Sequence, residues 1–443
     1  MTSGRTSINV GICGLGTVGG GTFALLKGKQ DEITRRLGET LRVVHVASRR
    51  MTPGFDTDGV KFSDDVMAVA HDPEVDVLVE TIGGFDAALE LVMEAIDHGK
   101  HVVTANKALI AVHGNEIFAR AKAKGVVVAF ESAVAGGIPI IKALREGLAA
   151  NSINWLAGII NGTGNYILTE MGKGHRGFNE VLAEAQALGY AEADPTFDVE
   201  GIDAAHKLTI LASIAFGISL QFDKVYTEGI SRITIEDVKY ASELGYRIKH
   251  LGIAHISDRG VELRVHPTLV SKKKLIANVN GVMNAVLVKG DSVGSTLYYG
   301  AGAGAEATAS SVVADIIDIA RSTVNTVAGG RAFMPSLAFN ELRSDIEILP
   351  IEEIESAYYL RIPALDKLGV MAKISSLLQD FRINIEAVIQ KEPTSNHVPI
   401  VILTDRVIEK HVNAAITAIE ELAEVSGKVI RIRMEELDGE ENQ

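Results

Sequence analysis

The chain has 443 residues, too many for a single hydrophobic core, so two or three domains are expected. Apolar residues make up 47% and charged residues 23%, the balance of an ordinary soluble globular protein, and the formal charge of −14 counts against nucleic acid or an anionic membrane as a partner. The first five residues lead into no apolar stretch, the most apolar window (208–220) is broken by Thr209 and Ser213 and is too short for a bilayer span, and the single cysteine, Cys13, leaves no internal disulfide, so a reducing cytoplasm is the expected setting.

In chain order, short Val- and Ile-rich strands are predicted at 8–13, 41–47, 75–81, 101–104 and 126–130, with helical stretches at 87–98 and 117–124 between them. That alternation predicts βαβ units and a parallel sheet. From 158 to 220 the pattern turns helical, and 261–270 and 275–288 are predicted strands. Residues 310–321 (SSVVADIIDIAR) form a strongly apolar helix that is expected to return onto the first sheet. The Gly/Arg/Pro stretch 329–335 and the acidic segment 346–355 read as a linker. The rest, 358–434, has a βαββαβ rhythm: a strand at 359–362, a turn at 366–370, a helix at 371–379, strands at 384–390 and 398–404, a helix at 411–423 and a last strand at 428–434. No internal repeat or low-complexity tract is evident.

The first strand runs directly into Gly14-Leu15-Gly16-Thr17-Val18-Gly19 and then a helix pattern. This is GxGxxG in the setting it needs: one glycine for the tight turn, one for close approach of a pyrophosphate, one for helix–strand packing, with free N–H groups at the helix start for the phosphates. A nicotinamide dinucleotide site on a Rossmann-type sheet is therefore expected. The second strand ends Ala47-Ser48-Arg49-Arg50, without the acid that would bond an NAD ribose. Arg49 and Arg50 suit a 2′-phosphate, which favours NADP over NAD; the alternative reading is two solvated arginines at a surface turn. Cys13, one residue before the turn, reads as a small buried hydrophobe and not as a nucleophile.

The strand 101–104 ends in Thr104-Ala105-Asn106-Lys107, which places Asn106 and Lys107 where ligands bind in open α/β sheets. Carboxylates crowd the segment 192–203 (EADPTFDVEGID) and an apolar helix follows, with Asp203 and Lys207 at i and i+4 on one face. On an exposed helix that pair would be surface decoration; beside Leu208, Ile210 and Leu211 it predicts a buried ammonium with an obligatory partner. His206 points away from its neighbour and reads as structural.

With these motifs in view, the chain resembles homoserine dehydrogenases from about residue 8 to 335, through GLGTVG, TANK, ESAVAGGIP (131–139), NGTGNYIL (161–168), EADPTFDVEGIDAAHKL and GAGAGAEATAS (300–310). The resemblance implies an α/β chain of three parts: an NAD(P)-binding Rossmann domain (1–137, completed by about 305–345), an α+β catalytic and dimerisation domain (138–304), and a C-terminal domain (356–436). It implies that Lys207 is the proton donor and acceptor, Asp203 its partner and Lys107 a second catalytic lysine near substrate and nicotinamide. Glu192, Asp198, Gly162 and Thr163 match substrate-binding positions; Thr104, Asn106 and Gly304 join the dinucleotide loop as cofactor contacts. Glu131, with main-chain oxygens of Val134, Gly136 and Ile138, matches a loop for a monovalent cation such as sodium. The implied reaction is reversible NAD(P)H-dependent reduction of L-aspartate 4-semialdehyde to L-homoserine, in threonine and methionine biosynthesis, by a homodimer or homotetramer. Ala307 stands where the family's pattern has proline. Relatives with an upstream kinase exist, but a nucleotide strand starting at Ile8 points to a monofunctional chain.

The βαββαβ order and the Asp366-Lys367-Leu368-Gly369-Val370 turn resemble an ACT domain, with Leu368 in place of the usual proline. Such domains bind amino acids near the loop between first strand and first helix, which here suggests Asp366, Gly369 and Asn384 as contacts for threonine. The alternative is a module that only assembles copies. Two other functions are weighed: another ACT-containing dehydrogenase, which would need a His–acid pair that the sequence does not offer, and a non-catalytic sensor, which would have no use for a buried lysine near the cofactor.

Overall fold

The computed structural model describes residues 7–49, 59–174, 176–324, 334–390 and 397–437. The first third forms a six-stranded sheet from β1 (Ser7–Cys13), β2 (Thr40–Ala47), β3 (Lys61–Ser63), β4 (Val77–Glu80), β5 (His101–Thr104) and β6 (Val128–Ala129). All pairings are parallel and the order is β3-β2-β1-β4-β5-β6. β4 is buried along its whole length, as a central parallel strand covered by helices on both faces must be. The strand order reverses between β1 and β4, and the crevice beyond their carboxyl ends is where such sheets bind ligands. The helix Ala305–Val324 returns onto this sheet, with Val312, Ile316 and Ala320 in the same core as Val10 and Ile12.

The second sheet contains β7 (Ile153–Ile159), β8 (Tyr226–Thr227), β9 (Tyr246–Ser257), β10 (Gly260–Ser271), β11 (Met283–Gly290), β12 (Gly294–Ala301), β13 (Glu355–Leu365), β14 (Ile385–Gln390), β15 (His397–Thr404), β16 (Val407–Ile408) and β17 (Ile430–Glu435). Its main path runs β12-β11-β7-β9-β10-β17-β13-β15-β14. Helices Val370–Asp380 and Glu409–Glu420 complete the C-terminal βαββαβ unit, with β16 as a short extra strand. The chain is thus α/β, with a Rossmann-type sheet, a mixed sheet and an ACT-like C-terminal unit. No helix among the described residues is long and apolar enough to cross a membrane.

Four local expectations are corrected. The helical reading from 158 begins too early, because β7 continues through Gly158 to Ile159 in antiparallel register with β9 and β11. The stretch 275–288 is not one strand: Ile276–Asn278 is a 3₁₀ turn and β11 starts at Met283. β9 and β12 were not anticipated. The helix predicted at 117–124 begins ten residues sooner, at Lys107, capped by Asn106. The linker expected at 329–335 lies mostly outside the described residues.

Candidate active site

The glycine turn sits between β1 and the helix Thr17–Gly28. Gly14 has φ +94°, and a Cβ there would lie 2.7 Å from the Thr81 carbonyl oxygen; at Gly19 a Cβ would lie 1.8 Å from the Gly14 oxygen. Around Gly16 nothing lies within 4 Å, so the turn is packed from below and open above, the shape a pyrophosphate requires. Leu15 is buried, Thr17 is exposed, and Val18 is half-buried against the core. Gly304 precedes the Ala305–Val324 helix, whose first carbonyl abuts Gly21. Arg49 is exposed just past β2, and Arg50 lies outside the described residues. Cys13 is buried, and burial first, then Glu80, pushes its thiol far above the ordinary value, so it is no nucleophile.

Sequence reasoning missed Glu80. Its carboxylate accepts from the Ile82 and Gly83 N–H groups (2.9 and 3.1 Å) and from the Thr104 hydroxyl. It thereby ties the loop after β4 to the end of β5. Asn106, next along, accepts from Leu109 N–H (3.1 Å) and donates to the Gly84 oxygen (2.7 Å), which fixes the start of the helix carrying Lys107.

Lys207, Asp203 and Lys107 meet, although Lys107 comes from a different element. The helix Ile202–Phe216 is buried on every side from Asp203 onward, so its polar groups must find partners. Lys207 Nζ donates to Asp203 Oδ2 and to the Ile160 oxygen, both at 2.7 Å. Lys107 Nζ lies 3.0 Å from Asp203 Oδ1, with its side chain 35% exposed, and 5.9 Å from the Phe197 ring centre. Burial would raise the Asp203 carboxyl, but Lys207 and Lys107 hold it well below the usual range. Burial lowers Lys207, Asp203 opposes that, and Lys107 reinforces it. His206 stacks on Phe222 (4.1 Å between centres), and burial lowers it to about 4, which fits the structural reading.

Asn161 is a second residue that was missed as an actor, though its motif was noticed. Its Nδ2 donates to both Asp203 Oδ2 and Asp198 Oδ1 at 2.8 Å, and its Oδ1 accepts from Gly164 N–H. Asp198, half-buried, is held above the ordinary carboxylate value by burial, with Asp203 adding to the rise and Asn161 and Lys207 opposing it. Gly162 and Thr163 open the helix Gly162–Gly174 beside it, with the Thr163 hydroxyl on the Tyr190 oxygen (2.6 Å). Glu192 is exposed on the turn after the Phe178–Ala187 helix, and its main-chain oxygen accepts from Gln186. A surface cavity of about 470 Å³, lined by Phe118, Leu337 and Phe339, is elsewhere and shares no residue with this cluster.

Both oxygens of buried Glu131 accept main-chain N–H groups, from Ile141 and Lys142 (2.9 Å each), and Asp315 accepts from Glu131 N–H (2.8 Å). The following loop carries Val134, Gly136 and Ile138, with Ala135 and Gly136 both at positive φ (54° and 51°). Gly136 O already accepts from Ser311 Oγ (2.7 Å) and Ile138 O from Ile140 N–H (2.8 Å), which leaves each carbonyl one lone pair. Burial, then Asp315, pushes Glu131 up to about 7, and burial pushes Asp315 to about 6. Lys142 Nζ lies 3.5 Å from Asp315 Oδ1 and offsets part of the charge of the two acids.

Asp366, Gly369 and Asn384 are exposed, but one chain does not bring them together. Gly369 caps the start of the 11-residue helix Val370–Asp380, and Asn384 follows its end. The helix length separates them by about 16 Å.

Comparison with known proteins follows the same outline. Residues 139–317 match the homoserine dehydrogenase family, 14–131 the homoserine dehydrogenase NAD-binding domain, and 358–424 the ACT domain. A homoserine dehydrogenase from Pseudomonas aeruginosa is 63% identical over 434 residues, covering 97% of this chain and 99% of that one. One from Neisseria gonorrhoeae is 52% identical over 438 residues, with 97% and 99% covered. The crystal structure of a homoserine dehydrogenase from Thiobacillus denitrificans superimposes with a TM-score of 0.92 at 57% identity, covering 98% and 99% of the two chains. A hyperthermophilic archaeal homoserine dehydrogenase in complex with NADPH matches at TM-score 0.61 and 26% identity, over 76% of this chain and all of that one.

Proposed function

The chain belongs to the homoserine dehydrogenase family of nicotinamide-dependent oxidoreductases, and from that premise we propose that Lys207 is the proton donor in reduction of L-aspartate 4-semialdehyde to L-homoserine. The observation that carries the reading is the buried Lys207–Asp203–Lys107 cluster. Bound NADPH supplies the hydride. As charge grows on the aldehyde oxygen, the Lys207 ammonium gives it a proton; in the reverse direction the neutral amine takes the proton from the homoserine hydroxyl. Asp203 keeps Lys207 protonated, and Lys107 lies where it can stabilise the same oxygen. Asp198 and Glu192 hold the substrate ammonium, a role supported by the half-buried carboxylate of Asp198 beside the Asp203–Lys207 pair. Asn161 holds Asp198 and Asp203 in register.

NADP(H) is the preferred cofactor in this reading. The acid-free end of β2 with Arg49 supports it, and so does the archaeal relative described with NADPH. Sodium or a similar cation neutralises Glu131 and Asp315. The C-terminal unit senses threonine, and because Gly369 and Asn384 stand at opposite helix ends, one ligand touching both draws them from two copies of the chain. A homodimer or homotetramer follows. The direct test is appearance of reduced-nicotinamide absorbance with L-homoserine and NADP. No turnover with homoserine, or equal turnover with unrelated 2-hydroxy acids, refutes the substrate assignment.

A further inference from the structure

On the outer face of the nucleotide-binding unit, far along the sheet from the glycine turn's chemistry, two helices bring three ligand-type side chains together. His71 ends the short helix Met67–His71; Glu94 belongs to the helix Asp86–Asp97, and His98 caps that helix. Glu94 and His98 are i and i+4, hence neighbours on one face. His71 Nε2 is 2.8 Å from Glu94 Oε1, His98 Nδ1 is 3.4 Å from the same oxygen, and the two imidazole centres are 4.8 Å apart. One donor atom from each residue falls within a 4.8 Å span, a trio found among the described residues only here.

We propose that His71, Glu94 and His98 bind a first-row divalent transition metal, with zinc as the reference ion. Ligand bonds of about 2.0–2.2 Å in a tetrahedral shell set neighbouring donors about 3.3–3.5 Å apart, so small side-chain rotations convert the observed spacing into a shell. Two imidazoles and one carboxylate select zinc, nickel or copper over magnesium or calcium, which take oxygen ligands. The side chains are 52%, 39% and 44% exposed, so an ion enters from solvent and water completes its coordination. His98 Nδ1 lies 3.0 Å from the Glu94 main-chain oxygen, a hydrogen bond that it gives up when it ligates. The structural consequence is a staple. The five-residue helix Met67–His71 supports β1 from below, where a Cβ on Gly11 would come within 2.4 Å of Val69. The ion ties that helix to Asp86–Asp97, and none of its ligands takes part in the proposed chemistry.

The test uses untagged full-length protein, stripped with chelator and titrated with ZnCl₂ by calorimetry, alongside the double variant His71→Ala/His98→Ala and the single variant Glu94→Gln. The wild-type protein should bind one equivalent with micromolar affinity and melt at a higher temperature once loaded. The double variant should lose at least ~10-fold in affinity together with the melting shift, while its metal-free activity matches wild type. Replacing Zn²⁺ with Co²⁺ should give visible tetrahedral bands in the wild type and not in the double variant. Absence of zinc binding, equal binding by the double variant, or equal stabilisation by Mg²⁺ each overturns the assignment.

Discussion

In the proposed chemistry Asp203 is the hinge, and Asp203→Asn isolates it. Its carboxylate meets Lys207 at 2.7 Å and Lys107 at 3.0 Å, both oxygens being engaged. At an effective dielectric of about 20, the attraction on Lys207 alone is about 6 kcal/mol before relaxation. Breaking a buried pair by removing one partner costs about 3–5 kcal/mol, and about 1.4 kcal/mol corresponds to one pKa unit, so Lys207 should fall by about 2 units or more. Lys207 already sits below its ordinary value through burial, and with Asp203 neutral burial and Lys107 are opposed only by the weaker pull of Asp198. Aldehyde reduction needs the ammonium, so the rate is lost as pH rises through the Lys207 pKa. In Asp203→Asn that alkaline limb should therefore start about 2 units lower, and kcat/KM should fall about 10²-fold at a pH above the wild-type limb. The assay is initial-rate NADPH oxidation from pH 6 to 10, with Lys207→Ala setting the floor. An alkaline limb that stays in place while the rate falls uniformly would show that Asp203 only positions Lys207. Near-full turnover by Lys207→Ala would move the proton-transfer role to Lys107.

Arg49→Ala should weaken NADP(H) by about 1.5–3 kcal/mol, the scale of a hydrogen bond to a charged group, and leave NAD(H) nearly untouched; equal losses in fluorescence titrations would remove Arg49 from the 2′-phosphate. Glu131 and Asp315 have folded pKa values raised to about 7 and about 6, so the stability they contribute is full below the ordinary carboxylate range and is lost as pH rises through 6–7. Sodium, compared with tetramethylammonium, should therefore stabilise the fold more at pH 8 than at pH 5, by on the order of 1–3 kcal/mol read from thermal melts, and a pH-independent difference would refute a cation at Glu131. Millimolar threonine should give binding heat and weaken substrate or cofactor by a factor within ~5–150, with the reciprocal effect on threonine equal and with Asp366→Ala insensitive; unchanged activity without heat would leave the C-terminal unit as an assembly device.

The parts legible in the sequence are those written in short periods. β1, the glycine turn and its helix announce themselves because strand, turn and helix are contiguous, and the Asp203–Lys207 pair is readable from its spacing and apolar flanks. Lys107 beside Asp203, and Asn161 between Asp198 and Asp203, are contacts across tens of residues that no local pattern encodes. β9 escaped notice for a related reason. Arg247, Lys249 and His250 interrupt its apolar run, yet Lys249 donates to Asn165 and the Val279 oxygen, and His250 pairs with the Glu228 oxygen. Tertiary partners satisfy these groups, so a buried strand tolerates them. Arg247 similarly reaches the Ala277 oxygen in the turn that breaks the stretch 275–288.

The C-terminal unit is where a modular reading of the sequence meets its limit. β17 pairs in parallel with β10 from Thr268↔Arg433 to Val270↔Glu435, so the mixed sheet passes without interruption from the catalytic unit into the ACT-like one. Arg361 and Tyr359 of β13 converge on Asp237, which also forms the capping box of the helix Ile235–Glu243. Buried Arg433 lies between Glu409 of its own unit and Glu228 of the other, each at 2.7 Å, while Arg264 of β10 bonds Glu435. From Glu228 the route to the active site is short: its main-chain oxygen takes His250 Nε2, and Ile230 N–H bonds the Val199 oxygen, one residue from Asp198. Cutting the chain before β13 would take both arginines, Arg431 and Arg433, from Glu228 and leave Arg264 with Glu262 alone, a penalty that says nothing about sensing. An effector acts through the difference in its affinity for two arrangements, and this seam of ion pairs joins the two units whose arrangement it would have to change. Asp366 lies outside the seam, on the loop after β13, so altering it removes the proposed ligand contact and leaves structural support intact. That separation is what deletion cannot provide.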